Sequence, residues 1–580
     1  MDNRSIAQLL EETADLLEID GGDSFRIRSY RRAAEAIQGT TVALSEIAQD
    51  AKALQAIPGI GKGMAANIAA MEETGTFSPR KELLEKYGVG ILELLKLPGM
   101  GPKTVALLFS SMQIATVDQL ETALKAGKLE GVPRFGAKHI ENLKKGIEEY
   151  HQHTGRFLLN VADREAEAFR GYLSGLEGLE QITVAGSYRR GRETVGDLDV
   201  LISGPACEGD RAAETAKFVA AYPGIADILA HGQNKVSFQL RNRMQVDVRL
   251  LPESSYGAAL QYFTGSKSHN VTLRQRALKQ GYTLSEYALA RVKDGQVVAA
   301  RTEEEIYAAL GLEWIPPHLR ENLGEIEAAE KHTLPKLVEL GDIRGDVHAH
   351  TTATDGRCSI REMAEAALGR GYEYMAITDH SKNLAMTNGL DAKRALAHMK
   401  KIRDVNAEME GRIRVLTGIE VDILGDGELD LPDDVLAEMD IVIASVHTLF
   451  NQPRKEMTER VLRAVENPYV RVLGHPTGRL LLRREPFEMD LARVLERCAE
   501  LGVAVEQNSS PERLDLSDVN LRMAHEKGCK IVINTDAHHT SHYGNIQYGM
   551  RQLRRAWLTK KDVLNTLPAK KFLAALRPRP

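Results

Sequence analysis

From residue 342 onward, short apolar runs end again and again in a histidine or a carboxylate, and a helical stretch follows each one. The runs end at Asp346-Val347-His348-Ala349-His350, Ile377-Thr378-Asp379-His380, Gly418-Ile419-Glu420, Ala444-Ser445-Val446-His447, Leu473-Gly474-His475 and Asn534-Thr535-Asp536-Ala537-His538. Val503-Ala504-Val505-Glu506 reads as a further strand. Apolar strands that alternate with helices pair in parallel, because the crossover helices cover the sheet faces. Seven such units predict a distorted parallel (β/α) barrel. The carboxyl ends of its strands share one face, and the side chains at those ends converge there.

That face would hold His348, His350, His380, His447, His475 and His538, with Glu420, Asp536 and, on the loop after the first strand, Asp355. A lone histidine is more often a satisfied core residue than a ligand. Ten of the chain's 17 histidines lie in this part, and they recur at strand ends. Nine nitrogen and oxygen ligands are too many for one tetrahedral ion. They suit a cluster of two or three, with Glu420 as a bridge. A donor set without thiolate favours Mn²⁺, Zn²⁺ or Fe²⁺.

Upstream, residues 186–200 read Gly-Ser-Tyr-Arg-Arg-Gly-Arg-Glu-Thr-Val-Gly-Asp-Leu-Asp-Val. Asp197 and Asp199 lie two apart in a strand-like run, so both carboxylates point to one face. Like charges so close repel unless a cation lies between them. Asp247, in the alternating run Gln245–Arg249, offers a third carboxylate. Gly186, Ser187 and Arg190 bring a close backbone approach, a hydroxyl and a guanidinium, which suit a polyphosphate. Together these residues predict a two-metal phosphoryl- or nucleotidyl-transfer site.

This stretch, with Tyr262-Phe263-Thr264-Gly265-Ser266-Lys267-Ser268-His269-Asn270, resembles the signature of the family X DNA polymerases, over about residues 1–318. The resemblance implies that Asp197, Asp199 and Asp247 hold two Mg²⁺ or Mn²⁺ ions and that Ser187 and Arg190 hold the β and γ phosphates of a dNTP. Tyr262 and Phe263 would face the sugar, Asn270 the minor-groove edge of the base, and Arg274 the template strand. Gly186, Gly196, Gly265 and Ser266 complete the implied nucleotide pocket. Lys267 joins it through the triphosphate or the base, and Arg249 is placed with the DNA contacts. About residues 342–575 are similar to the polymerase-and-histidinol-phosphatase (PHP) domain, a metal-dependent phosphoesterase, with all nine metal-signature positions occupied. Lys382, Arg479 and Arg513 are further basic residues near its phosphate side.

The first 150 residues carry an internal repeat. Ile57-Pro58-Gly59-Ile60-Gly61-Lys62 and Leu97-Pro98-Gly99-Met100-Gly101-Pro102-Lys103 align at an offset of 40 residues. Each predicts helix, tight turn, helix, with free N–H groups at the second helix start. These resemble helix-hairpin-helix motifs, which grip DNA phosphates. A weaker third copy is expected at Val132–Lys138, with Arg134 in place of the first glycine. Arg26, Arg28, Tyr30 and Arg31 lie on a basic, aromatic helix that resembles the family's pocket for the 5′-phosphate of a gap.

The expectation is a multidomain chain, α+β followed by α/β. It has a helical hairpin region (1–80 and 81–150), a nucleotidyltransferase palm with a mixed sheet (151–252), a thumb (253–318), a linker (319–341) and the PHP barrel (342–580). The 43% hydrophobic and 27% charged residues are ordinary for a globular protein. No apolar run approaches the length of a membrane span, and residues 1–5 lack a signal-peptide core. Four scattered cysteines read as reduced thiols, so a cytoplasmic protein, a monomer, is expected. The formal charge of −6 means that any DNA binding arises from local geometry. The implied function is gap filling on gapped or nicked duplexes in base excision repair, with 3′-5′ exonuclease or phosphoesterase action by the PHP domain. A DNA-binding scaffold and a small-molecule phosphatase are the alternatives.

Family members with 5′-deoxyribose-phosphate lyase activity use a lysine in the second helix of the first hairpin. Aligning Gly59-Ile60-Gly61 puts that position at Asn67, whose amide cannot form an imine. Borohydride trapping on a pre-incised abasic duplex should therefore leave residues 1–80 unlabelled. Efficient trapping there would show that another lysine acts.

Overall fold

A computed structural model describes residues 3–38, 44–57, 59–74, 76–88, 90–129, 132–133, 135–153, 155–384 and 387–578. The chain divides into two compact units, Met1–Thr154 and Gly155–Pro580.

The first unit is helical. Its amphipathic helices Asn3–Ile19 and Ser24–Gln38 pack against each other and bury Ile6, Leu10, Ile27, Ala34 and Ile37. The two repeats form the same turn. Ile60 N donates to Ile57 O and Met100 N donates to Leu97 O, both at 3.1 Å. Gly59 (φ +98°) and Gly99 (φ +78°) supply the left-handed step that side chains resist. Ile60 and Met100 point inward, and the helices Lys62–Thr74 and Pro102–Met112 begin immediately after. The third copy has the same bond, Phe135 N to Val132 O at 3.0 Å, ahead of the helix Ala137–His153; Arg134 lies outside the described residues.

The second unit opens with a five-stranded sheet in the order Gln181–Val184, Asp197–Ser203, Gln245–Leu251, Lys235–Leu240, Ile225–His231. The central pair is parallel and the others antiparallel, so the sheet is mixed, as expected. The helices Leu159–Leu173 and Arg211–Ala220 cover one face with Phe169, Leu173 and Val219. The edge strand Ile225–His231 has no counterpart in the expectation. Its residues are mostly exposed, so no apolar alternation marks it.

Residues 256–318 contain helices Tyr256–Thr264 and Lys267–Lys279, then an antiparallel sheet of three-residue strands, Tyr282–Leu284, Leu289–Arg291 and Val297–Ala299. That sheet was expected as irregular chain. Residues 319–341, expected as a linker, carry structure of their own. Arg320 is fully buried and the helix Glu325–Glu330 buries Ile326 and Ala329 against the thumb core. Beyond them, seven parallel strands follow one another in chain order from Gly345–Asp346 to Ile531–Asn534. A parallel bridge between Ala349 and Ala537 ties the last strand to the first and nearly closes the barrel.

Glu303 joins palm to thumb. Its carboxylate takes both Nη atoms of Arg189 (2.8 and 3.0 Å), both of Arg320, and Trp314 Nε1. Burial alone would raise its pKa, but the charges and hydrogen bonds of Arg320 and Arg189 hold it at about 2. The lowered folded-state value means that its stabilisation is complete above the ordinary carboxylate range and fades as pH falls towards about 2. Glu303→Gln leaves the buried Arg320 and the partly buried Arg189 short of a counter-charge and should cost about 3 kcal/mol at neutral pH, read by chemical denaturation. The deficit should shrink in acid.

Candidate functional site

The parallel pairing of Asp197–Ser203 with Gln245–Leu251 sets Asp199 directly beside Asp247. Oxygens of Asp197, Asp199 and Asp247 lie within 4.8 Å of one another. Burial, then the charges of Asp197 and Asp247, push Asp199 up to about 7. Burial and Asp247 also raise Asp197. Asp247 is the exception. Burial would raise it, but the Ser237 hydroxyl and Lys235 Nζ, 3.2 Å away, hold it below the usual range. A hard divalent cation relieves this kind of repulsion, so the oxygen donors fit Mg²⁺ or Mn²⁺. Gly186 is required for the approach, because a Cβ there would lie 2.6 Å from Asp199 Oδ2.

Several of the predicted nucleotide residues are already engaged with other groups. Arg190 gives Nε to Glu321 (2.9 Å) and Nη1 to Thr264 O (2.8 Å). Asn270 donates to Tyr262 O (2.7 Å) and accepts from Gln261 (2.9 Å). In this state its amide fixes the turn at Tyr262–Gly265 instead of presenting an edge to a base. The guanidinium of Arg274 stacks on Tyr262 and that of Arg249 on Phe263, at 4.9 and 4.3 Å from the ring centres. Ser266 caps the helix Lys267–Lys279 by accepting from His269 N, while Lys267 is exposed and Ser187 and Gly196 are half-buried. Glu321, Ser237 and Lys235 escaped the sequence reading. Each acts on a partner set by the sheet or by long-range packing.

At the barrel mouth, three overlapping groups could each hold an ion: His350, Asp355, His380 and His538; His348, His350 and Asp536; His380, Glu420 and His447. Glu420 is buried and lies 2.9–3.6 Å from nitrogens of His348, His350, His380, His447 and His475. His348 Nε2, both nitrogens of His350, His380 Nδ1, His475 Nδ1, Asp355 Oδ1 and Glu420 Oε2 are buried without a hydrogen bond. Buried polar atoms are rarely left so, and these converge, which fits Mn²⁺, Zn²⁺ or Fe²⁺. Two of the predicted ligands, His475 (φ 24°) and Asp536 (φ 52°), also hold left-handed backbone that side chains disfavour.

A second layer orients the imidazoles. Glu506 accepts from His348 Nδ1 at 2.7 Å, and Asp422 pairs with His447 Nδ1. Asp379, adjoining His380, is held by Thr351, Thr354 and His398. Glu506 lies within Ala504–Asn508, the one strand that carries no predicted ligand, and that gap is the available signal. Arg513 Nε lies 3.7 Å from Asp536 and Lys382 is exposed, whereas Arg479 is buried and bonded to Glu193 and two carbonyls. Arg479 is a structural tie and not a free phosphate contact.

In the helical unit, Gly59, Gly61, Lys62, Gly99, Gly101 and Lys103 are exposed around the hairpin turns. The basic helix departs from expectation. Tyr30 is buried, stacked on Phe77 and hydrogen-bonded by Asn67 Nδ2 at 3.0 Å. Arg31 is paired with Asp15 and Glu18, so Arg26 and Arg28 remain as its outward charges among the four predicted residues.

Family models match the chain in order: a helix-hairpin-helix domain at residues 1–77, a SAM-like helix-hairpin-helix tandem at 91–149, DNA polymerase beta palm at 164–241, DNA polymerase beta thumb at 259–321 and a PHP domain at 346–510. Together they define a family X polymerase core joined to a PHP domain. The DNA polymerase/3′-5′ exonuclease PolX of Bacillus subtilis (strain 168) is 39% identical over 579 residues, covering 100% of both chains. The chain belongs to this PolX family. Two probable phosphatases, from Thermoanaerobacter sp. (strain X514) and Acetivibrio thermocellus, are 30% identical over 232 and 230 residues, 38% of this chain and 89% and 90% of theirs.

Metal loading at the barrel should release protons. Burial opposes charge on all its histidines, yet Glu420 with Asp355 or Glu506 raises His380 and His348 well above the ordinary value, and Asp355 lifts His538 to about 9. His350, by contrast, is pushed down to about 4 by burial and its neighbouring imidazoles. At pH 7 the metal-free site therefore binds protons that an ion must displace. Calorimetry with Mn²⁺ in buffers of different ionisation enthalpy should show net proton release. Affinity should rise with pH up to about 9.

Proposed function

We propose that this protein is a DNA-directed DNA polymerase that fills short gaps during base excision repair and trims 3′ ends with its PHP domain. Support comes from one chain that carries metal-type ligand clusters in both palm and barrel, eight of the nine predicted barrel residues among them, within a full-length likeness to a polymerase/exonuclease. In this reading Asp197, Asp199 and Asp247 hold two ions, and the nine barrel ligands hold two or three. Divalent ions at such sites lower the pKa of an attacking hydroxyl or water and neutralise phosphate charge.

The chain's own residues do the rest. Burial and the charges of Asp197 and Asp247 raise Asp199 in the ion-free site, and bound divalent ions would relieve that repulsion. Ser187 and Arg190 receive the triphosphate of the dNTP, and for this Arg190 exchanges Glu321 for phosphate. The faces of Tyr262 and Phe263 order the sugar. In the barrel, Glu506 and Asp422 hold His348 and His447 in one orientation. The exposed hairpin turns offer backbone N–H groups to phosphates and so bind duplex without reading sequence. The whole reaction needs a single chain, gapped or nicked duplex and dNTP.

The test uses one labelled gapped duplex with and without dNTP. Asp247→Asn should abolish incorporation and leave 3′-end degradation in place. His348→Ala with His350→Ala should do the reverse. Loss of both activities in either variant would defeat the two-site assignment. Release of phosphate from sugar phosphates without action on DNA would favour a small-molecule phosphatase.

A further inference from the structure

Outside both metal centres, a cleft of about 350 Å³ lies between the palm and the barrel. Its polar wall is made by Tyr188, Arg189, His318, Gln547, Arg551 and Arg554, above an apolar floor, and no carboxylate lines it. The volume sits at the low end of the range for small-molecule sites, about 300–1,000 Å³.

The guanidinium groups are unequally satisfied. Arg189 is held by Glu303 and Thr264. Arg551 stacks on Tyr188 and gives Nη2 to Asp163 at 2.9 Å, but its Nη1 is buried with no acceptor. Arg554 gives Nε to Val338 O at 3.1 Å and meets no carboxylate among the described residues. His318 completes the wall. Burial, then Arg554, Arg551, Arg555 and Arg189, push its pKa down to about 3, so it is a neutral donor or acceptor at physiological pH.

A buried N–H without an acceptor, an arginine without a counter-ion and a cleft without acid share one remedy, which is an anion with several acceptor oxygens. We propose that this cleft binds a small phosphate-bearing anion, of the size of pyrophosphate or a nucleoside monophosphate. Arg554 and Arg551 Nη1 take the phosphate oxygens and Gln547 and His318 provide neutral polar contacts, while Tyr188, whose hydroxyl donates to Asp163 at 2.6 Å, lends only its ring. A nucleoside would lie along the apolar floor. The occupant would link the barrel helix Ile546–Arg555 to the palm turn Gly186–Arg189, which bears Ser187. Polymerisation releases pyrophosphate and exonuclease action releases nucleoside monophosphate, so either centre is a source. The site itself does not depend on that assignment.

The test is calorimetric titration of the full-length protein with pyrophosphate and, separately, with dAMP, both in EDTA. Without divalent ions the palm acids repel phosphate. At least one probe should bind at one site, and which one identifies the source. Arg554→Gln should weaken binding about tenfold through loss of a charged donor. Gln547→Glu, which adds a negative charge at a half-buried position, should weaken it at least as much and carries the test if Arg554→Gln fails to fold. Asp247→Asn and Arg190→Ala should leave it unchanged. The proposal falls if the wild type binds neither probe, if both cleft variants bind normally, or if Arg190→Ala alone removes binding.

Discussion

A carboxylate taken out of water must be surrounded by compensating charge, and Glu420 is the residue on which this requirement falls hardest. It is buried at the barrel mouth with five imidazoles within 3.6 Å. No single helix or strand could assemble that shell. Parallel strands in chain order, brought round until Ala537 meets Ala349, each deliver one or two of the predicted ligands, except Ala504–Asn508, which delivers Glu506 behind them. The carboxylates behind the imidazoles then need their own donors: Thr351, Thr354 and His398 for Asp379, Asn534 for Glu506 and Asn383 for Asp422. The polar layer thus extends inward behind the imidazoles, and the apolar strands beneath it close the core.

The palm meets the same constraint with fewer groups. Asp197 and Asp247 raise Asp199, Asp247 raises Asp197, and only Asp247 is held below the usual range by its neighbours. Nearby, a carboxylate of the post-thumb segment occupies the predicted phosphate arginine. Glu321 lies between Arg190 and the barrel's Arg555, 2.9 Å from each. The nucleotide pocket is therefore set partly by residues far outside it in sequence.

Period-two spacing made Asp197 and Asp199 legible as one face, and the recurrence of histidine at strand ends made the barrel legible. Both signals are local and repeat. The unread residues lack that property. Glu321 acts on Arg190 across 131 positions, and Lys235 reaches Asp247 through strand pairing. The three-residue strands after Lys279 are too short for alternation to register. The basic helix misled for the opposite reason. Its charges are local, but Asp15 and Glu18, which neutralise Arg31, sit on the preceding helix, and the aromatic ring faces the core.

The barrel helix Ile546–Arg555 has a bearing on how such a chain can be dissected. Gln552 donates to Gly191 O, Arg555 to Arg190 O, and Arg551 to Asp163, so the palm's phosphate turn is held from outside the polymerase core. A fragment cut before residue 342 would expose those carbonyls and that carboxylate to water and release the turn. Weak polymerisation by such a fragment would report a lost brace, with no bearing on hydrolytic chemistry in the removed part.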